Sequence, residues 1–308
     1  MESLRILVTG GAGFLGSHLV RALIKAGHSV RVLDNLSTGS LENIRDLPLE
    51  FIRGDIRDYD TVEAAVKNVD VIFHLAALID VTESIEKPLD YLEVNVKGTL
   101  NVARASRGVS AVIFSSSCAV YGEPEFIPIS EDHKLSPKSP YAASKASGEA
   151  YIISYSNLNG YRPVILRLFN VYGPKQTKSY AGVISEFIRR ALREEPPMIY
   201  GDGEQTRDFI HVEDVVDAMI RAMREERARG IYNIGSGKAT KIKDLAYLIL
   251  KLAGKTEIKP VYMPPRPGDI RSSEADITRA RRDLGFEPRV ELDRGIEMLI
   301  DEMRGEKQ

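Results

Sequence analysis

A short apolar run, Leu4-Arg5-Ile6-Leu7-Val8, leads directly into TGGAGFLG at residues 9–16 and then into a helix-like pattern through Ala26. No other stretch restricts the fold as tightly. The apolar run reads as a buried strand. Glycines at Gly10, Gly13 and Gly16, with Gly11 as an extra, allow a sharp turn. Strand, glycine turn and helix bring backbone N–H groups and the positive end of a helix dipole to one point. A pyrophosphate fits there because no Cβ blocks its approach. Glycine spacing alone is equally explained by a tight turn. The strand before it and the helix after it are the context that the phosphate reading demands.

A second apolar strand, Ser29-Val30-Arg31-Val32-Leu33, ends in Asp34, 18 residues past Gly16. A ribose-binding acid is expected about 20 residues on. A carboxylate there accepts from a ribose 2′-OH and repels a 2′-phosphate, which favours NAD over NADP. The plainer alternative is an ordinary loop aspartate. The alternation then continues. Leu49–Ile52 leads to Gly54-Asp55-Ile56 and a helix near 58–67. Residues 70–75 form a strand followed by the small Ala76-Ala77. A long helix spans about 88–106, and Ala111–Phe114 leads into Ser115-Ser116-Ser117. Repeated βαβ units imply an α/β fold: a Rossmann-type, doubly wound parallel sheet covered on both faces. Sites on such sheets lie at the carboxyl ends of the strands, where Asp34, Asp55, Ala77 and Ser117 all fall. His74, inside a strand, reads as a satisfied core histidine.

Tyr141-Ala142-Ala143-Ser144-Lys145 opens a helical run at 140–159. Residues four apart share a helix face, so phenol and ammonium can enter one pocket. A free tyrosine titrates near about pH 10 and is a poor base at neutrality. A cation beside it favours phenolate. Many exposed helices carry such a pair by chance; a hydride carrier in the same chain gives it chemical meaning.

The 308 residues carry a net charge of -2, which gives no general pull toward nucleic acid or anionic membrane. The single Cys118 excludes an intrachain disulfide and a cysteine-rich metal cluster, and reads as a small apolar residue. No metal site is expected. No apolar run reaches membrane-spanning length. The chain enters a strand at once, without signal-peptide architecture, so a cytoplasmic enzyme is the expectation.

TGGAGFLG, Asp34-Asn35-Leu36, Gly54-Asp55-Ile56, His74-Leu75-Ala76-Ala77, SSSCAVYG at 115–122 and YAASK at 141–145 together resemble the extended short-chain dehydrogenase/reductases. Within them the chain is most similar to the UDP-glucose (UDP-galactose) 4-epimerase family, over essentially its whole length. The resemblance implies NAD as cofactor and a UDP-sugar as substrate. It implies that Tyr141 takes the proton of the sugar 4-OH as hydride leaves C4 for the nicotinamide. Ser117 would bond the 4-oxygen and the phenol, and Lys145 the nicotinamide ribose. The 4-keto sugar turns over, and hydride returns to its other face. By resemblance the cofactor also meets Gly10, Gly13, Phe14, Leu15, Gly16 and Asp34. Further contacts are implied from Asn35, Leu36, Ser37, Thr38, Gly39, Asp55, Ile56, Leu75, Ala76, Ala77, Ser115 and Phe169.

The same resemblance assigns Asn170, Arg207 and Arg266 to the substrate diphosphate, Tyr200 to the uracil ring and Asp269 to the uridine ribose. Val183, Met198 and Ser273 complete the implied substrate set. It divides the chain into an NAD-binding domain at 1–171, with 204–235 returning to it. A smaller mixed α/β nucleotide-sugar lobe takes the rest of 172–308. It also implies a homodimer pairing through the helices near 88–106 and 140–159. Lyases on this fold usually carry an acid two positions after the Ser/Thr; here that position is Ala119. Bacterial epimerases have lysine at the position of Ile79, threonine at Ala119 and a bulky aromatic at Ser273. A small residue at 273 leaves room for an N-acetyl group; Asp80 has no assigned part. Besides an epimerase, the open alternatives are a nucleotide-sugar dehydratase or decarboxylase, and a non-catalytic dinucleotide-binding protein.

Overall fold

The structure, a computed structural model, describes residues 3–176, 182–265 and 270–305. In chain order it begins β1 Arg5–Thr9, α1 Phe14–Lys25, β2 Ser29–Asp34, β3 Glu50–Arg53, α2 Tyr59–Val66, β4 Val71–His74, α3 Val81–Glu86, α4 Pro88–Tyr91 and α5 Gly98–Ala105. It continues β5 Ala111–Ser117, α6 Pro140–Asn159, β6 Arg162–Leu168, β7 Asn170–Tyr172, α7 Val183–Leu192, β8 Met198–Tyr200, β9 Thr206–His211 and α8 Val212–Arg224. The last elements are β10 Gly230–Ile234, β11 Ala239–Lys241, α9 Ile242–Leu252, β12 Val261–Met263, α10 Thr278–Leu284 and α11 Leu292–Gly305.

Seven strands form one sheet in the order β10-β6-β5-β4-β1-β2-β3. Every pairing in it is parallel. A sheet covered on both faces buries both sets of side chains. Leu7 and Val8, one pointing each way from β1, are both fully buried, in separate cores on the two faces. The chain winds outward from β1 in both directions, so a crevice opens at the carboxyl ends of β1 and β4. The expected fold class is what the chain adopts.

Two smaller sheets lie beyond it. β9 pairs with β7 and β11, and β8 pairs with β12. With α7, α9 and α11 the second lobe builds its own core around Phe187, Ile199, Leu245, Ile249 and Leu299. After β9 the chain returns to the main sheet. Val215, Ala218 and Met219 of α8 join the core that holds Leu19, Val20 and Leu23 of α1. So do Ala280, Leu284 and Phe286. The resemblance assigns that last stretch to the substrate lobe. Its apolar side chains instead bury themselves against the same core as α8.

The helix expected over about 88–106 is interrupted. Residues 92–97 form a π-helical segment between α4 and α5. The wide turn carries Asn95 into the interior, where its amide accepts from the Leu78 N–H at 2.8 Å and donates to the Leu78 carbonyl at 2.8 Å. It also donates to Ser144 Oγ at 2.9 Å, tying the segment after β4 to α6. Such bulges are frequent at functional sites. Among the described residues no helix is long and apolar enough to cross a membrane.

Candidate active site

α6 begins where the sequence says it should. Ser139 caps it by accepting from Ala142 N at 3.1 Å, Pro140 occupies the first turn, and Gly160 ends it in a left-handed conformation. That start places Tyr141 and Lys145 on the buried face against the carboxyl end of β5. The Tyr141 ring stands edge-on to Tyr91, centroids 6.4 Å apart. Its hydroxyl faces the Ser117 side chain. Ser117 Oγ accepts from Ala119 N at 3.2 Å, which orients it. Lys145 Nζ donates to the Ser115 carbonyl at 2.8 Å. Tyr141, Lys145 and Ser117, far apart in the chain, therefore converge on one wall.

The electrostatics correct one expectation. Lysine was expected to lower the tyrosine's pKa. Burial instead pushes the phenol up to about 12, opposed by the neighbouring Ser117 hydroxyl. Burial also pulls Lys145 down to about 8, opposed by the negative charge of Glu149. Desolvation of the charged form is the largest cause in both cases. The phenol thus holds its proton at neutrality. Cys118, half-buried beside Ser117, has its thiol pushed up to about 12 by burial and is a poor nucleophile.

A cavity of about 500 Å³ runs from this wall along the strand ends. Gly10, Gly13, Phe14, Leu15 and Gly16 line one end, with Asp34, Asn35, Ser37, Thr38, Asp55 and Ile56. Leu75, Ala76, Ala77, Ser115, Ser117, Tyr141, Lys145 and Phe169 line the rest. Leu36 and Gly39, also expected at the cofactor, are not on its surface. The Leu36 N–H donates to Asp34 Oδ1 at 2.8 Å. A Cβ on Gly39 would meet the carbonyl carbon of Ala12 at 2.8 Å, so that glycine lets its loop pack on the turn. Gly54, Ser116 and Ile79, named above without a binding role, also line it, and Arg57, Leu78, Asp90, Val94, Leu168, Val171 and Gln176 line it without having been foreseen. The last seven carry no local motif; tertiary packing brings them there.

The cradle fits a dinucleotide. Gly10 has φ +72, and a Cβ on it would meet Ala76 N at 2.8 Å. A Cβ on Gly16 would lie 2.1 Å from the Gly10 carbonyl oxygen. No side chain caps α1, so its first-turn N–H groups are left for a ligand. Asp34 is held by Ala12 N at 3.0 Å and by Leu36 N, leaving further lone pairs for a ribose. Asp55 is held down to about 2 by Arg57, and also accepts from Asn35 at 2.8 Å. Bound NAD supplies a hydride acceptor and a positive charge.

Of the residues expected at the substrate, Ser117 and Tyr141 line the cavity, and Asn170, Val183, Met198, Tyr200, Arg207 and Ser273 do not. No described residue beyond Gln176 lines the cavity. Asn170 Nδ2 donates to the Asp208 carbonyl at 2.9 Å. Val183 opens α7, and Met198 and Tyr200 lie half-buried in β8. Arg207 is half-buried, and its charge acts on the Cys118 thiol. Ser273, fully buried, lies beside the same thiol. Both are thus brought beside the residue that follows Ser117. Arg266 and Asp269 fall outside the described residues. His74 is a core histidine as expected, bridging the hydroxyls of Thr9 and Thr99 at 2.7 and 2.9 Å. Burial pushes its imidazole down to about 3. Asp80 caps α3 by accepting from Glu83 N at 2.8 Å. Among the described residues no cluster could hold a metal ion.

Residues 6–235 match the family described as the NAD dependent epimerase/dehydratase family. The chain is 43% identical to a putative UDP-glucose 4-epimerase of Methanocaldococcus jannaschii over 97% of its own length and 98% of that protein's. It is 36% identical to a UDP-N-acetyl-alpha-D-glucosaminuronate decarboxylase of Bacillus cytotoxicus, covering 97% of this chain and 98% of that one. Among solved structures it superposes on the UDP-glucose 4-epimerase of Thermotoga maritima with UDP-glucose at a TM-score of 0.94. That pair shares 39% identity, over 99% of this chain and all of the other. With its glycine cradle, ribose-facing carboxylate and buried Ser–Tyr–Lys wall, the chain belongs to the NAD-dependent epimerase/dehydratase family of enzymes.

Proposed function

We propose that the protein is a UDP-hexose 4-epimerase that works through a transient 4-keto sugar. The observation that carries this reading is the composition of the wall at the end of β5. It holds Ser117, Tyr141 and Lys145, and the next position where a lyase keeps its extra acid is Ala119. A methyl group transfers no proton. Ser117 bonds the sugar 4-oxygen and fixes it against the phenol. Tyr141 accepts the 4-OH proton as hydride leaves C4, which oxidises the alcohol to a ketone. Positive charge in the same dry cavity favours the phenolate at that moment. After the ketone presents its other face, hydride returns to C4 and Tyr141 returns the proton. C4 is inverted and the redox balance is zero.

Arg207 clamps the diphosphate in this reading, since a guanidinium offers two parallel donors to phosphate. Asn170, Val183, Met198, Tyr200, Arg266 and Asp269 complete the nucleotide site. We further infer tolerance of a 2-N-acetyl group, from the small residue, Ser273, at the position where the resemblance places a bulky aromatic. A homodimer through the helical stretches near 88–106 and 140–159 agrees with the exposure of Leu89, Leu92 and Leu158.

The test is to incubate the protein with UDP-galactose, and separately with UDP-N-acetylglucosamine, and to follow the sugars by NMR. The expected products are UDP-glucose and UDP-N-acetylgalactosamine. A 4-keto-6-deoxy sugar or a pentose derivative would assign the protein to the lyases. Unchanged sugars would make it a binding protein. Conversion of UDP-galactose alone would remove the N-acetyl inference.

A further inference from the structure

Behind the catalytic wall lies a buried ion pair that the chemistry above does not use. Glu149 and Arg167 are 3% and 2% exposed. The guanidinium grips the carboxylate at two points, Nε to Oε1 at 2.9 Å and a terminal nitrogen to Oε2 at 2.7 Å. Ser116 Oγ donates to the same Oε1 at 2.5 Å. Arg167 is further seated on the Glu131 carbonyl at 3.2 Å and lies 4.7 Å from the centroid of the Tyr121 ring. Burying a charge pair carries a desolvation cost that apolar side chains of similar size avoid. Its position in the fold suggests what it is for.

Glu149 stands four residues after Lys145 and eight after Tyr141, on the same face of α6. Ser116 stands between Ser115 and Ser117 in β5, directly opposite Arg167 in β6. Three consecutive strand residues are thus fastened to three successive turns of one helix. Ser115 meets Lys145, Ser116 meets Glu149, and Ser117 meets Tyr141. Only the middle fastening has its helix end outside the cavity, since neither Glu149 nor Arg167 is among the lining residues. We propose that Glu149, anchored by Arg167 and Ser116, is a positioning residue that fixes how far α6 sits along β5. Through that placement it sets Tyr141 on Ser117 and Lys145 on the Ser115 carbonyl.

The pair has a second consequence. Burial draws Lys145 toward its neutral form, and the negative charge of Glu149 opposes that. Of the other titratable groups facing this wall, His74 on β4 is neutral, Cys118 is a thiol and Tyr141 is a phenol. Glu149 is therefore the carboxylate that keeps the Lys145 ammonium charged. The sign follows directly. Without Glu149 the ammonium loses its proton at lower pH, and activity fails earlier as pH rises.

The proposal rests on the reading that Tyr141 carries the proton transfer, so Tyr141→Phe is run as a control. The test compares the parent with Glu149→Gln, and with Glu149→Gln/Arg167→Met. The second variant removes the uncompensated guanidinium if the first fails to fold. Turnover of UDP-galactose is measured from neutral to alkaline pH, with melting temperature as the check on folding. In a folded variant kcat should fall about tenfold while KM changes less than about threefold. The alkaline limb of the kcat profile should move about one unit toward neutrality. A folded variant with the parent's kcat and the parent's alkaline limb overturns the proposal. So does a loss of melting temperature with an unmoved limb, which marks a purely structural pair. Full activity in Tyr141→Phe would instead overturn the reading beneath it.

Discussion

Tyr141→Phe should lower turnover by about a thousandfold while NAD still binds, because a positioned acid–base group is worth roughly 10² to 10⁴ in rate. The substitution removes one oxygen. The ring keeps its edge-on contact with Tyr91, and Ser117 keeps its bond from Ala119 N. Asp34 and the glycine cradle lie at the other end of the cavity. The deficit should therefore fall on kcat and leave the cofactor's dissociation constant nearly unchanged, as titration calorimetry can show. Substantial residual turnover would mean that another group moves the proton. The described residues supply few candidates. The Cys118 thiol is held in its neutral form, and His74 is sealed between two threonines.

The second large effect is on the cofactor. In Gly16→Ala the new Cβ would stand 2.1 Å from the Gly10 carbonyl oxygen and 2.8 Å from Gly11 Cα. Both obstacles are backbone, and neither can swing aside as a side chain can. The first turn of α1 must move away from the glycine turn, which separates the N–H groups meant for the pyrophosphate. Overpacking of this kind costs about 1–3 kcal/mol. That corresponds to roughly a fivefold to 150-fold weaker affinity when the strain falls on the binding-competent form. Fluorescence titration with NADH or calorimetry with NAD reads it, and the melting temperature of the free protein separates lost binding from lost folding. Unchanged affinity would show that the pyrophosphate does not use this turn.

What could be read in the sequence was whatever is local. The strand–glycine–helix opening depends on about twenty adjacent residues. The dyad depends on a spacing of four within one helix whose ends, Ser139 and Gly160, are written in the chain. Asp34 follows from its place at the end of a strand. What escaped depends on burial or on distant contacts. The direction of the Tyr141 shift is set by how dry its surroundings are, and no spacing rule contains that. Asn95 acts through a π-helical turn that no apolar periodicity announces. Glu149 and Arg167 read as ordinary charges in the sequence, and only the pairing of β5 with β6 brings them under the active wall. The substrate contacts were carried by resemblance alone. Asn170 spends its amide on the Asp208 carbonyl, and Ser273 is packed beneath Cys118, so neither lines the cavity among the described residues.

An epimerase of this kind differs from a lyase or a dehydrogenase in where one hydrogen goes. The direct measurement uses UDP-galactose carrying deuterium at C4, incubated with the protein in ordinary water without added reductant, with the product examined by NMR. The account requires UDP-glucose with the deuterium still on C4, because the hydrogen that leaves that carbon is the one that comes back. UDP-glucose with ordinary hydrogen at C4, or a product that has lost water or a carbon, would contradict it.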